Sequence, residues 1–201
     1  MSIYIILLLI ITGINSLYFD KPLSSLWFKE TEPSPSLDST ASLNVTELLH
    51  LPIEPFEEDI LIGIFLGLAV VQLSRLLSKY ADWAKRIDED FALYFTNMSS
   101  VELSLMAVLS SLAEEVIFRG WLQNYLGLVL TSIIFGLLHI PPKKEHWPWT
   151  ISALLMGFVL GVLYDWRGAV TAPFIAHFTI NYFNLHALAK QQGKHYTSES
   201  L

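Results

Sequence analysis

The sequence predicts an all-α integral membrane protein: a polytopic bundle of about six transmembrane helices with one amphipathic helix on the cytoplasmic surface. Three observations predict it. Of 201 residues, 53% are hydrophobic and only 15% charged, and the mean hydropathy is +0.47, a balance that soluble domains rarely reach. The apolar residues come in long runs rather than in short amphipathic periods. The charges, net −7, are gathered between those runs, with acids over 20–59 and mixed charges over 82–90. No basic face points to nucleic acid, which is excluded as a partner. The absence of cysteine excludes disulfides, thiolate metal sites and a cysteine nucleophile.

A crossing needs roughly 20 apolar residues to span a hydrocarbon core of about 30 Å. Residues 3–19, 60–77, 103–126, 128–140, 149–164 and 169–188 qualify or nearly do so. The first lacks a basic flank and a small-x-small cleavage site, so it reads as an uncleaved anchor (1–20) rather than a signal peptide. Residues 21–59, with Glu32-Pro33-Ser34-Pro35-Ser36, read as an acidic Pro/Ser-rich loop that buries too little to order itself. Asn44-Val45-Thr46 within it is a tripeptide common by chance. The unit 60–101 holds the second span and an amphipathic helix over 82–95, where Trp83, Ile87, Phe91 and Tyr94 share one face and suit an interfacial anchor. Small residues four apart, Gly63/Gly67 and Ala153/Gly157/Gly161, suit close helix packing. The unit 102–190 carries the remaining spans, and 191–201 is a tail.

Lys and Arg are retained on the cytoplasmic side. With the N-terminus inside, Arg75, Lys79, Lys85, Arg86, Lys143, Lys144, Lys190 and Lys194 fall in the cytoplasm, against Lys21, Lys29, Arg119 and Arg167 elsewhere. A multi-pass protein of a bacterial cytoplasmic membrane is the expected localisation.

The last four spans carry polar residues that a bilayer does not tolerate without partners: Glu114, Glu115, Arg119, Asn124, His139, His177 and Asn181. A charge at the centre of a membrane helix costs about 2.5–3.5 kcal/mol even on the lenient insertion scale. Glu115 and Arg119 are four apart and can pair along one helix face. Glu114 points about 100° away and needs a partner on another helix. If Gly127 ends the third span, Glu114 lies 13 residues before it and His139 lies 12 after it. At 1.5 Å rise both then stand roughly 18–20 Å from the turn, facing each other. A turn at 165–168 brings His177 and Asn181, four apart on one face, to similar depth. His50, His146, His186 and His195 fall in loops or near span ends and receive no role.

A buried carboxylate can act as a general base near neutral pH. Glu114, assisted by His139, could take a proton from water for attack on a peptide carbonyl, with His177 and Asn181 as oxyanion donors. Ser110, Ser111 and Thr179 lie nearby, but none sits in a Gly-x-Ser-x-Gly elbow. No His-Glu-x-x-His helix is present, yet Glu114, His139 and His177 form a possible two-His, one-carboxylate metal set. Two readings of cofactor use stay open: none, or a divalent metal such as zinc on those three residues.

Glu114-Glu115-Val116-Ile117-Phe118-Arg119-Gly120, Phe135-Gly136-Leu137-Leu138-His139 and His177-Phe178-Thr179-Ile180-Asn181 resemble, in order, the EExxxR, FxxxH and HxxxN motifs of the CPBP intramembrane protease family. That family includes the type II CAAX prenyl endopeptidases and the abortive-infection (Abi) and bacteriocin-processing proteins. The resemblance covers about residues 103–188. It implies a membrane endopeptidase with Glu114, His139, His177 and Asn181 catalytic, Glu115 and Arg119 supporting, and a membrane-associated peptide or protein, prenylated or not, as substrate beside the lipid bilayer. Two departures stand out: a short interval between Glu115 and His139, and six spans where the eukaryotic prenyl endopeptidase has eight. The competing classes are a catalytically silent immunity or scaffold protein and a small proton-relay transporter, the latter without the internal repeat many transporters show.

Overall fold

A computed structural model of the chain describes residues 55–141 and 143–198, with side chains over 56–191 apart from 142. The expected anchor 3–19, residues 21–54 of the acidic loop with Asn44 and His50, and residues 199–201 of the tail lie outside the described residues, and the rest of the tail, with His195, is helical. Within them every regular element is helical.

Helix α1 (Pro55–Tyr80) places Glu57 and Glu58 in its first turn and Lys79 in its last, the charge order that complements the helix dipole. Helix α2 (Asp82–Phe95) is the expected amphipathic helix. Its inner residues Ala84, Ile87 and Ala92 are buried and Phe91 packs edge-on against Trp149, whereas Trp83 and Tyr94 of the expected apolar stripe are exposed. The stripe is thus divided, because half of it is used to dock on the bundle. Helix α3 (Ser100–Glu115) starts at a capping box, with Ser99 and Glu102 satisfying each other's backbone N–H groups,. It runs without a break into a π-helical segment (Val116–Leu122) and then into α4 (Gln123–Leu137).

Gly127, at φ 72° and ψ 170°, interrupts α4. A left-handed φ favours glycine, and the break turns the chain back so that Phe135 meets Phe118 edge to face at 4.9 Å. The hairpin expected at Gly127 is therefore present. Its second arm is shorter than expected: helix ends at Leu137 rather than at residue 140, so residues 128–137 rise about 15 Å, half a bilayer core. A short helical segment, Lys144–His146, leads into α5 (Trp147–Arg167), which ends on Gly168 with φ 71°, the expected turn. Helix α6 (Thr171–Ser198) closes the chain.

Six crossings were expected. Among the described residues, two helices are long and apolar enough to cross a membrane by length and composition, Phe56–Tyr80 and Lys144–Arg167. The buried core runs along α5 and α6 through Leu160, Leu163, Ala172 and Ala176, with Ile62 and Leu66 of α1 laid over it. The glycine pairs set this spacing. A Cβ on Gly63 would stand 2.7 Å from the Ala172 carbonyl oxygen, and one on Gly67 2.6 Å from Thr179 Cβ, so α1 lies directly on the α6 backbone as small-residue stripes allow. At one end Arg167 binds Glu58 at 2.9 Å and also Asp59, fastening the start of α1 to the end of α5.

At the other end Asp90 of α2 accepts hydrogen bonds from Lys143 Nζ (2.7 Å) and His146 Nε2 (2.8 Å), joining α2 to the segment before α5. The hydrogen bond from Lys143, helped by His146 and opposed by burial, holds the Asp90 carboxyl below its ordinary value. The same bond raises Lys143. A depressed carboxylate pKa contributes stability that is present above its unfolded value and is lost as pH falls through the folded one, and a raised lysine pKa contributes stability lost only as pH rises through its folded value. The joint is thus fully made between about pH 4 and 10.

Two outcomes follow. Gly63→Leu should lower stability by about 1–3 kcal/mol through overpacking, read as a lower thermal midpoint in detergent. Acidification below about pH 4 should release the segment around Trp149, read by its fluorescence, and Asp90→Asn should show the released signal already at pH 7.

Candidate active site

The site is built outward from a buried charge. Arg119 and Glu115 are both fully buried, and Arg119 Nη1 donates to Glu115 Oε1 at 2.9 Å, as the spacing of four anticipated. A lone buried charge costs several kcal/mol, so further hydrogen bonds to such a pair offset its burial, although Glu115 Oε2 and Arg119 Nε have no hydrogen-bond partner among the described residues. Arg119 Nη2 accordingly donates to the Gly157 carbonyl at 2.9 Å. One turn on, Gln123 Nε2 donates to the Gly161 carbonyl (2.9 Å) and to Asp165 Oδ1 (2.7 Å). Two side chains four apart therefore reach two carbonyls four apart, at places where α5 lacks a Cβ to stand in the way. Sequence reasoning missed Gln123, whose signal was its position four after Arg119, opposite Gly157 and Gly161. Asn124 closes the π segment, donating to the Gly120 carbonyl at 3.0 Å and exchanging contacts with Tyr164.

Glu115 Oε1 also accepts from His177 Nδ1 at 2.7 Å. Because a carboxylate held by arginine is an acceptor, the proton of this bond lies on Nδ1 and Nε2 is turned the other way. His139 is held in the same manner. Its Nδ1 lies 2.7 Å from the Phe135 carbonyl, which can only accept, so its Nε2 is also left without that proton. Thr150 Oγ1 donates to the His139 carbonyl at 3.0 Å, and the imidazole lies 4.6 Å from the Phe135 ring. Phe135 itself is buried and has the Arg119 guanidinium 4.9 Å from its ring centre.

Both free Nε2 atoms point to one place. Each lies 3.9 Å from Glu114 Oε2, a buried oxygen with no hydrogen-bond partner among the described residues. Glu114 thus has its partners on other helices, as its direction on α3 required. Asn181, by contrast, donates to Ser110 Oγ at 3.1 Å and Ser111 Oγ at 3.4 Å, linking α6 to α3 one turn from the glutamate. The structure therefore brings Glu114, His139 and His177 around one point and sets Asn181 beside them. His186 bonds to its own helix at the Tyr182 carbonyl, whereas His146 belongs to the Asp90 joint, a role its place in the sequence did not show.

The donor types at this point are those a metal accepts, and imidazoles held through Nδ1 are common among metal ligands. The spacing is less suitable. Tetrahedral zinc with bonds of about 2.0–2.1 Å holds two ligand atoms roughly 3.3 Å apart, against 3.9 Å for both pairs, and no group of three His, Asp or Glu among the described residues has the arrangement of a metal site. A water molecule within about 2.8 Å of both atoms spans such a gap without movement.

Comparison with known proteins agrees with this core. Residues 96–183 match the family described as type II CAAX prenyl endopeptidase Rce1-like. A Bacillus subtilis (strain 168) protein named uncharacterized protein YpbD is 36% identical over 87 residues, which are 43% of this chain and 46% of that protein. The chain therefore spans less than half the length of that curated relative. No solved structure matches. The matched segment begins just before α3 and ends two residues after Asn181, so it contains all three motifs and the elements that carry them. Over residues 96–183 the chain is similar to the Rce1-like type II CAAX prenyl endopeptidases, a family of membrane-embedded proteases, as its motifs implied.

Proposed function

We propose that this protein is an intramembrane endopeptidase that hydrolyses a peptide bond of a membrane-associated substrate with a water activated by Glu114 and His139. The observation that carries the reading is the buried Glu114 oxygen with two imidazole Nε2 atoms 3.9 Å away, both oriented by bonds at Nδ1. A water lying between Glu114 and His139 gives a proton to the carboxylate while its oxygen attacks the carbonyl carbon. The C–N bond then breaks as the amine takes that proton back from Glu114.

The negative oxygen of the tetrahedral intermediate needs donors. His177 can serve from Nε2 only as an imidazolium, since its Nδ1–H is committed to Glu115. Turning Nε2 of His177 toward the site by holding its Nδ1 is the task we assign to Glu115 and Arg119 beyond holding the helix. Asn181 joins by exchanging one serine contact for the oxyanion. In this reading the protein is multi-pass in a bacterial cytoplasmic membrane. Helices 100–126 and 171–198 cross beside the two apolar helices, their polar residues turned inward to the site, and the 143–146 segment lies on the cytoplasmic side with α2. Short helix 128–137 reaches only part way across the hydrocarbon core.

In detergent or bicelles, Glu114→Gln should reduce cleavage of a peptide library by about 10²–10⁴-fold, and His139→Ala should do the same while both variants keep the wild-type thermal midpoint. Glu115→Gln should lower the thermal midpoint, because it leaves Arg119 uncompensated, and in the protein that remains folded should lower kcat with little change in KM, because Glu115 acts through His177. Unchanged turnover in the first two variants would exclude the mechanism, and activity abolished by a chelator and restored by zinc would transfer Glu114, His139 and His177 to metal ligation.

A further inference from the structure

Resting on the endopeptidase reading, we propose that Thr150 is a positioning residue for His139, fixing the backbone from which that imidazole faces Glu114, and that α2 in turn seats Thr150 through Asp90 and Phe91.

The need arises from where His139 stands. His177 lies inside α6, with helix on both sides of it. His139 lies two residues past the end of α4 at Leu137, where the last carbonyls of a helix lack N–H partners of their own. Its N–H reaches the Gly136 carbonyl at 3.0 Å, and that of Ile140 reaches Leu137 at 3.4 Å. Pro141 and Pro142 follow and bring no N–H to carry the helix on. Yet the ring depends on this short turn, because Nδ1 meets the Phe135 carbonyl only while the backbone at 139 keeps its place.

Thr150 supplies the missing restraint. Ser132, Ser152 and Thr179 donate their hydroxyls to the carbonyl four residues back in their own helices, as such groups commonly do. Thr150, in the first turn of α5, donates instead across to the His139 carbonyl at 3.0 Å. It is buried, which strengthens the bond relative to one made in water. The end of α4 is thereby tied to the start of another helix.

That start is itself held from α2. Buried His146 donates from Nε2 to Asp90 at 2.8 Å. Phe91 packs edge-on against His146 at 5.5 Å and against Trp149 at 5.2 Å, and the Trp149 ring lies 6.3 Å from that of His139. His146, Trp149 and Thr150 are three and four apart, a spacing that sets them on one side of a helical segment. Contacts therefore run without a gap from α2 through the first turn of α5 to His139.

The test follows peptide cleavage and the His139 tautomer, the latter by nitrogen-15 imidazole NMR of the full chain in bicelles, assigned against His139→Ala. Thr150→Val keeps the side-chain shape and loses the hydroxyl. It should lower kcat by about 10- to 100-fold with little change in KM, and should replace the Nδ1–H signal of His139 by a mixture of both tautomers. Thr150→Ser should restore both the turnover and the Nδ1–H form. Asp90→Asn should shift both readouts in the direction of Thr150→Val, and it serves in its place if that variant does not fold. The double variant Asp90→Asn/Thr150→Val should be no slower than Thr150→Val alone, because the two act in series. Gly63→Leu, which loosens the α1–α6 contact instead, should leave the tautomer unchanged and so separates positioning from a general loss of stability. Wild-type kcat and tautomer in Thr150→Val would overturn the proposal and leave the endopeptidase reading intact. Losses that multiply in the double variant would overturn the part assigned to α2. A wild type that cuts no peptide while its His139 tautomer still follows the Thr150 hydroxyl would sink the endopeptidase reading and uphold the positioning of His139.

Discussion

The buried Glu115–Arg119 pair is the constraint on which the rest of the core depends. Neither charge reaches solvent, so each must be met by groups already fixed in the fold. Arg119 draws on the α5 backbone at Gly157, and Glu115 draws on His177 of α6. Three helices are thereby fixed in register by one ion pair. Replacing either partner alone would leave an uncompensated charge, a loss of about 3–5 kcal/mol in comparable buried pairs, and would also free the histidine that faces Glu114.

The two adjacent acids consequently differ in kind, although they are consecutive on the helix. Glu115 is saturated on the oxygen that faces Arg119 and His177. Each acid has one buried oxygen with no direct partner among the described residues, but only that of Glu114 has two imidazoles just beyond hydrogen-bond reach. The same element of order, a histidine tied at Nδ1, occurs twice around it by different means: a backbone carbonyl holds His139 and a carboxylate holds His177. In both cases the bond at Nδ1 decides which ring nitrogen is left to face Glu114,.

Phe135 shows how an apolar residue can matter as much to such a site as the polar ones. Its ring lies against the Arg119 guanidinium, Phe118 and His139, while its carbonyl orients His139. The break at Gly127 makes this possible by returning the chain over the π segment. Around this core, α2 and the Asp90 joint form the outer wall near His139, linking the amphipathic surface helix to the edge of the bundle that carries that histidine.

The sequence by itself determined the all-helical class, the turns at Gly127 and Gly168, the tight packing at Gly63 and Gly67, and the pairing of Glu115 with Arg119, because each follows from local spacing or from a residue type with few alternatives. It also placed Glu114 opposite His139, since nearly equal distances from one turn bring two residues to the same depth, and set His177 near them from the turn at 165–168. Tertiary structure alone decided that the arm after Gly127 stops at Leu137, that Gln123 belongs to the core, that Phe91 turns inward while Trp83 and Tyr94 do not, and that His146 joins Asp90. These depend on which surfaces meet across 38 to 56 residues of chain, and hydropathy, which records only how apolar a segment is, holds no information about which neighbour it meets.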